Sequence, residues 1–197
     1  MKSFLTLLTI ILVIYLFGCD NKSKVSENEL DEIHFNLDTN LLGEKTVNSI
    51  NSFEFYIPKL LTNSETDFYD LENQLSSSLP ESINLLLLYV FTDSAKENSL
   101  SISKIILPVD LSSNNIDSYS EAMGNTYLFK NASKAKYLKD GMIFSQFITN
   151  HNNFVIIKII FQPKENNLIQ FDYIFNEENY KQEVRSIESS IGSIKIL

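Results

Sequence analysis

The C-terminal part of the chain is the feature that most restricts the fold. Three apolar runs of strand length follow one another there, and short polar turns separate them: Met142–Thr149, Phe154–Phe161 and Leu168–Phe175. The runs are rich in Ile, Val and Phe. Runs of this length and composition, bounded by turn formers, predict three consecutive antiparallel strands.

The three predicted strands differ in how they distribute their apolar residues. Phe154–Phe161 is apolar at nearly every position, and Met142–Thr149 carries large apolar side chains on both faces. Strands that lack in-and-out alternation are covered on both faces of their sheet. In Leu168–Phe175, by contrast, Gln170 and Asp172 interrupt one face, which predicts a more peripheral strand.

An amphipathic helix is predicted after the third strand. Its apolar residues recur at helical spacing and lie on one face: Tyr180, Val184, Ile187 and Ile191. Asn176 suits the N-cap position, and Gly192 suits the end of the helix. A short last strand, Ile194–Ile196, is expected to follow.

The preceding part of the chain adds further elements to this block. It predicts strands at Phe53–Ile57, Leu85–Phe91 and Ser99–Leu107, helices from Ser64 to about Pro80 and from Ile116 to beyond Met123, and a polar connection over Lys130–Asp140. The whole pattern predicts an α+β fold with an antiparallel sheet of about six strands between helices. Such an arrangement is a three-layer α/β/α sandwich.

The N-terminus carries a targeting pattern. Met1-Lys2 precedes an apolar run over Phe4–Phe17, which is too short to span a bilayer and is typical of a signal-peptide core. The run ends in Leu16, Phe17, Gly18 and Cys19, which resembles the lipobox of bacterial lipoproteins. That resemblance implies lipidation of Cys19, cleavage after Gly18, and acyl chains such as palmitate as a membrane anchor. The alternative is an uncleaved signal anchor with an unmodified cysteine.

These observations divide the chain into three parts. Residues 1–18 are predicted to be a lipoprotein signal peptide, residues 19–45 the lipidated cysteine with a flexible linker, and residues 46–197 a single α+β domain. The linker is rich in Asn, Ser, Lys and Glu, a composition that does not bury enough surface to fold. Four apolar residues in it could instead form a weak helix or an added strand: Leu30, Ile33, Phe35 and Leu37.

Charge and cysteine content restrict the partners and the compartment. The formal net charge is −9, and acidic chains of this kind do not bind nucleic acid by counterion release. Cys19 is the only cysteine, so no disulfide competes for its thiol. We therefore expect a bacterial cell-envelope protein, periplasmic or surface-exposed, that contacts the membrane through acylated Cys19 and binds a protein or peptide partner.

Three stretches of the domain carry a family resemblance. They are Phe53–Pro58 before a helix, Ile106–Leu111 before the helix that starts near Ile116, and the ending from Phe171 through Tyr180 and Ile187 to Ile194. In these stretches the chain resembles the PsbP-like family over about residues 47–197. The resemblance implies an antiparallel sheet between helices and a mostly non-catalytic role in binding partners, and it transfers no functional residue.

The sequence offers little catalytic chemistry. Its two histidines, His34 in the predicted linker and His151 in a predicted turn, have no nucleophile or carboxylate at triad spacing. No phosphate loop, zinc motif or calcium loop is present, so we predict no catalytic residue, cofactor or metal site. The expected function is a membrane-tethered, non-catalytic binding or accessory module. The alternatives are an immunity-type or secretion-associated chaperone lipoprotein and an unrecognised periplasmic hydrolase.

One group of polar residues is a candidate ligand site. If both C-terminal hairpins take their simplest register, Gln146, Ile157 and Asp172 lie in one row on one face, with Gln170 one step along. A carboxylate and two amides beneath a helix would form a polar-floored cleft for a ligand or partner. The alternatives are that this part of the face is solvated or that a helix supplies the missing donors. A one-residue slip in either hairpin would scatter the row between the two faces.

Overall fold

The computed structural model describes residues 30–64, 79, 83–108 and 115–197. Its strands are β1 (Leu42–Asn48), β2 (Phe53–Pro58), β3 (Thr62–Asn63), β4 (Asn84–Thr92), β5 (Ser99–Ile106), β6 (Ser133–Lys139), β7 (Met142–His151), β8 (Phe154–Lys164), β9 (Asn167–Asn176) and β10 (Lys195–Ile196). The helices are α1 (Asn115–Gly124) and α2 (Glu177–Gly192), and a 3₁₀ turn covers Thr39–Leu41. Among these residues, neither helix is long and apolar enough to cross a membrane.

Seven strands form a large sheet in the order β3-β4-β5-β9-β8-β7-β6. All of its neighbouring pairs are antiparallel. The strand predicted to be peripheral, β9, is instead central, and its polar residues are buried. The stretch predicted as a polar connection contains the edge strand β6, whose alternating lysines are typical of a protected sheet edge.

The remaining three strands form a small sheet in the order β1-β2-β10. In it, the strand predicted at Phe53–Ile57 is the central one and ends at Pro58, where its ladder stops. The expected single sheet of about six strands is therefore wrong in count, because the described residues form sheets of seven and three strands. The mixed α+β class with mostly antiparallel pairing is confirmed.

The two faces of the large sheet carry separate cores. On one face, alternate residues of the large sheet pack against α2 and against the inner face of the small sheet. The centre of this core is aromatic: Phe53, Phe55, Phe161 and Phe171. The other core joins α1 to the opposite residues of the same strands, including Tyr119, Phe147 and Ile160. Because β8 contributes to both cores, it is apolar at nearly every position from Phe154 to Phe161, as the sequence indicated.

The helices differ in how well they follow their predicted bounds. Asn176 caps α2 by accepting a hydrogen bond from the backbone of Glu178, as predicted. The other helix, α1, ends at Gly124, so Tyr127 lies beyond it and is 80% exposed. The helix predicted from Ser64 to about Pro80 falls almost entirely outside the described residues, as do the signal peptide and Cys19.

The flexible-linker prediction is wrong from residue 30 onward. Residues 31–41, here called the strap, pack along the domain, and β1 begins within the predicted linker. Glu32 forms an isolated parallel bridge with Leu138, so this stretch adds a single bridge, and not a full strand, to the outer edge of β6. Alternating apolar residues explain this result, since Phe35 packs against the main core.

Candidate functional site

A cleft of about 410 Å³ opens between the strap, the β6–β8 end of the large sheet and α2. The strap forms one wall with Ile33, His34, Phe35 and Asn36. The floor is formed by Ala135, Tyr137, Gln146, Ile148 and Ile157, and the helix wall by Tyr180, Val184, Arg185, Ile187, Glu188 and Ile191. We call this space the strap–helix cleft.

The helix wall follows from the apolar face that the sequence predicted. Ile187 and Ile191 lie in the C-terminal half of α2 and are buried in the main core. Tyr180 and Val184 lie in the N-terminal half and are only half-buried. The same helical face therefore serves the core at one end and the cleft at the other.

Four hydrogen bonds to backbone groups of the strap hold it on both sides of the cleft, two from the β6 backbone and two from side chains of α2. At the sheet edge, the Ile33 amide donates to the Leu138 carbonyl at 2.8 Å, and the Leu138 amide donates to the Asp31 carbonyl at 3.0 Å. Two serine side chains of α2 hold the strap's other end. The Ser189 hydroxyl accepts from the Asp38 amide at 3.1 Å, and the Ser186 hydroxyl donates to the Leu41 carbonyl at 2.8 Å.

Phe35 adds an apolar contact to these hydrogen bonds. Its ring lies 6.1 Å from the ring of Tyr137 on β6. On α2, Gly192 leaves room for the strap, since a Cβ there would lie 2.4 Å from the Phe35 Cβ. This close approach explains why the helix ends in glycine. It also fixes the position of the strap wall.

The polar groups of the cleft are mainly hydrogen-bond donors. The Tyr137 hydroxyl donates to Gln146 Oε1 at 3.5 Å, and Gln146 Nε2 has no partner among the described residues. Burial raises the pKa of Tyr137 well above its usual value, so the phenol stays protonated. Arg185 forms no ion pair within the described part of the chain. Glu188 is the one carboxylate of the lining.

The predicted row of Gln146, Ile157 and Asp172 is wrong at both of its pairings. Gln146 pairs with Ile159 and not with Ile157, a slip of two residues that leaves Gln146 and Ile157 on the same face. In the structure Ile157 pairs with Tyr173, and Asp172 pairs with Lys158. Asp172 thus lies on the face opposite Gln146, because one residue of slip moves every side chain of a strand to the other face. The cause is a β-bulge between Phe161 and Lys164, which shifts the register between β8 and β9.

Asp172 and Gln170 instead belong to a buried polar cluster beneath α1. Lys158 Nζ and Asp172 Oδ1 lie 2.6 Å apart, and both side chains are about 5% exposed, at 6% and 5%. Gln170 Nε2 donates to the other Asp172 oxygen at 2.5 Å, and Tyr119 donates its hydroxyl to Gln170 Oε1. These two predicted site residues therefore have partners in the core and do not line the strap–helix cleft.

The same face carries two buried hydroxyls beside the cluster. Ser101 pairs with Asp172 across the sheet, and Ser103 pairs with Gln170. Neither hydroxyl has a hydrogen-bond partner among the described residues. Burial and, less strongly, the charge of Asp172 raise the pKa of Tyr119 well above its ordinary value. The tyrosine thus acts as a neutral donor.

The two histidines lie far apart in the fold. His151 ends β7, and its Nε2 lies 3.0 Å from the side-chain nitrogen of Asn152 in the adjoining turn. His34 lies in the strap wall of the cleft. Over residues 30–64, 79, 83–108 and 115–197, neither histidine bonds a Ser, Cys or carboxylate side chain, and no three His, Cys, Asp or Glu residues form a metal-binding group.

The sequence-based prediction missed Arg185, Tyr180 and the strap as parts of the site. Arg185 was detectable as the only arginine of the chain, beside the apolar stripe of α2. The strap was detectable through the alternation of Ile33, Phe35 and Leu37. Gln146 was predicted, and the structure places it in a cleft between sheet and helix.

Comparison with known proteins is informative at the level of the fold. No family model and no curated protein sequence matches the chain. The solution structure of cyanobacterial PsbP (CyanoP) from Synechocystis sp. PCC 6803 is similar, with a TM-score of 0.50 and 11% sequence identity. The match covers 78% of this chain and 92% of that chain. The resemblance drawn from the sequence is therefore confirmed for the architecture: the described domain has a PsbP-like fold.

Proposed function

We propose that the protein is a membrane-tethered lipoprotein whose PsbP-like domain is a non-catalytic binding or accessory module. The strap–helix cleft carries this proposal, because its largely apolar lining also presents an amide donor and an arginine that have no partner within the described part of the chain. Concave sites with a few convergent polar groups are the usual form of ligand sites. The PsbP-like fold supports a non-catalytic accessory role by analogy alone, and no catalytic residue is carried over to this chain from that fold.

The tether and the cleft are close along the chain. Asp31, where the strap begins, follows Cys19 by 12 residues, and an extended chain of that length reaches at most about 40 Å. A lipid anchor at Cys19 would therefore keep the strap wall near the bilayer surface. We propose that the partner is a protein or peptide of the bacterial cell envelope, met in the periplasm or at the surface.

Lipidation is tested by substitution of the proposed anchor. The pattern Leu16, Phe17, Gly18, Cys19 predicts that wild-type protein enters the detergent phase of Triton X-114 after processing. The Cys19→Ser variant should remain an unprocessed precursor without added lipid mass. Intact wild-type protein that begins at Met1 and carries no lipid would contradict the anchor.

Binding at the cleft is tested by site-specific photo-crosslinking in membranes. A photo-reactive residue at Val184 points into the cleft, whereas one at Gln182 on the same helix is exposed and does not line it. We expect a partner adduct from position 184 and none from position 182. Equal adducts at both positions, or none at 184, would exclude the cleft as the binding site. Capture of a toxin or of a secretion component would select the immunity-type or the chaperone role.

A further inference from the structure

Arg185 distinguishes the strap–helix cleft from the rest of the surface. It is the only arginine among the 16 Lys and Arg residues of the chain. This single arginine lines the strap–helix cleft. A guanidinium differs from an ammonium in its planar pair of donors, which fits a carboxylate with two parallel hydrogen bonds.

The surroundings leave this guanidinium available. Arg185 is exposed, and no carboxylate of the described residues lies within ion-pair distance of it, although Glu188 follows one turn later on α2. A cation that lines a cleft without an internal partner can pair with an anionic ligand. Glu188 also lines the cleft, so its charge opposes ligands that carry two negative charges, such as phosphate monoesters.

Gln146 supplies a second donor on the floor. Its Oε1 lies 3.5 Å from the Tyr137 hydroxyl, and in this orientation Nε2 points away from that contact. The Nε2 hydrogens have no partner among the described residues, so they are open to an acceptor on a ligand. Tyr137 cannot ionise near neutral pH, because burial raises its pKa well above the ordinary value.

The rest of the lining is suited to an apolar group. Ile148 and Ile157 from the sheet face Tyr180 and Val184 from the helix across the cleft. The half-buried members of this set leave apolar surface that a ligand can cover. One cation, one free amide donor and an apolar floor together describe the complement of a single carboxylate attached to a hydrophobic group.

We propose that the strap–helix cleft binds a monocarboxylate carried on an apolar group, with Arg185 pairing with the carboxylate and Gln146 donating a further hydrogen bond. This inference rests on the proposed function, in which the cleft is the binding site. Two sources share this chemistry: the C-terminus of a peptide that ends in an apolar residue, and a free aliphatic or aromatic acid.

The test uses the full chain in nanodiscs and its single arginine as reporter. Labelling with ¹⁵N-arginine gives one Nε–H resonance, which belongs to Arg185. The probes are 4-phenylbutyrate and acetyl-Leu-Leu-Phe, each as the free acid and as the amide. We expect a saturable shift with at least one free acid and binding weaker by about tenfold or more for its amide. Tighter binding of the tripeptide acid would identify a peptide terminus, and tighter binding of phenylbutyrate a free acid.

Matched variants separate this inference from the proposed function. In Arg185→Gln, the Gln146 side-chain amide should report affinity reduced by about tenfold or more. In Lys181→Gln, which removes an exposed cation of the same helix, affinity should not change. Equal binding of acid and amide, or no response to any acid, overturns the carboxylate assignment. The proposed function fails separately, if position 184 captures no partner in membranes.

Discussion

The buried pair of Lys158 and Asp172 supports a quantitative prediction. The Asp172→Asn substitution keeps the shape of the side chain but leaves the Lys158 ammonium without its partner, at 6% exposure. Removing one member of a buried ion pair costs about 3–5 kcal/mol. A domain of this size has a free energy of unfolding of about 5–15 kcal/mol, so the variant should lose a large part of its stability.

A double-mutant cycle tests whether the cost arises from the unpaired charge. The cycle consists of Lys158→Met, Asp172→Leu and the variant with both substitutions. We expect each single substitution to cost about as much as Asp172→Asn, and the double variant to cost less than the sum of the two by about 2 kcal/mol or more. The double variant should not regain full stability, since Gln170 loses its acceptor at a cost of about 1–3 kcal/mol. The stability of each variant is measured by urea unfolding. The midpoint urea concentrations are compared between variants whose free energy of unfolding falls with urea at the same slope.

A surface pair with the same separation is the control. Lys136 Nζ and Asp117 Oδ1 also lie 2.6 Å apart, but their side chains are 37% and 60% exposed. Breaking that pair with Lys136→Met should cost no more than about 1 kcal/mol. If Asp172→Asn costs as little as the control, or if the two core variants are additive within about 0.5 kcal/mol, the ion pair is not what holds this face.

Two further predictions concern the strap and the buried phenols. Gly192→Ala should destabilise the protein by about 1–3 kcal/mol and speed amide hydrogen exchange in the strap, because the new Cβ meets Phe35. The control is Gly124→Ala, whose new Cβ would approach the end of a flexible lysine side chain and should change the stability by no more than about 0.5 kcal/mol. If amide hydrogen exchange in the strap is equal in Gly192→Ala and Gly124→Ala, the strap contact of Gly192 has no such role. Burial raises the pKa of three tyrosines far above the ordinary value of a tyrosine: Tyr119, Tyr137 and Tyr173. The neutral form of these three tyrosines stabilises the fold fully below about pH 10, and this stabilisation is lost as the pH rises toward the folded-state pKa values. Phenolate absorbance should therefore show these three side chains ionising only as the protein unfolds.

The strands were predictable because their signal is local. Runs such as Phe154–Phe161 hold enough Ile, Val and Phe to indicate a doubly covered strand without knowledge of its neighbours. Register is different, since a bulge changes the face of a strand without changing its composition. Pro163 lies within the bulge of β8 and was a usable signal, because proline within sheets is largely confined to edges, strand starts and bulges.

The candidate site was only partly predictable for a related reason. Gln146 was found because it stands out in an apolar strand, whereas Asp172 was assigned to the wrong face through the register. The central place of β9 was hidden because polar residues normally indicate exposure. Lys158 was the overlooked signal: a lysine inside an apolar strand needs a buried carboxylate, and the next strand supplies one.

The central position of β9 restricts the order in which the chain can assemble. Its partner β5 is made about 70 residues earlier, and β10 at the end of the chain pairs with β2 near the beginning. The large sheet is not complete before β9 is made, and the small sheet is not complete before β10 is made. Before β9 is made, the chain can form the β1–β2 hairpin, the β3–β4–β5 pairings and the β6–β7–β8 pairings, but these groups of strands cannot yet join into the complete sheets. Secretion channels thread unfolded polypeptide, so late completion of both sheets is compatible with the export proposed above for this chain.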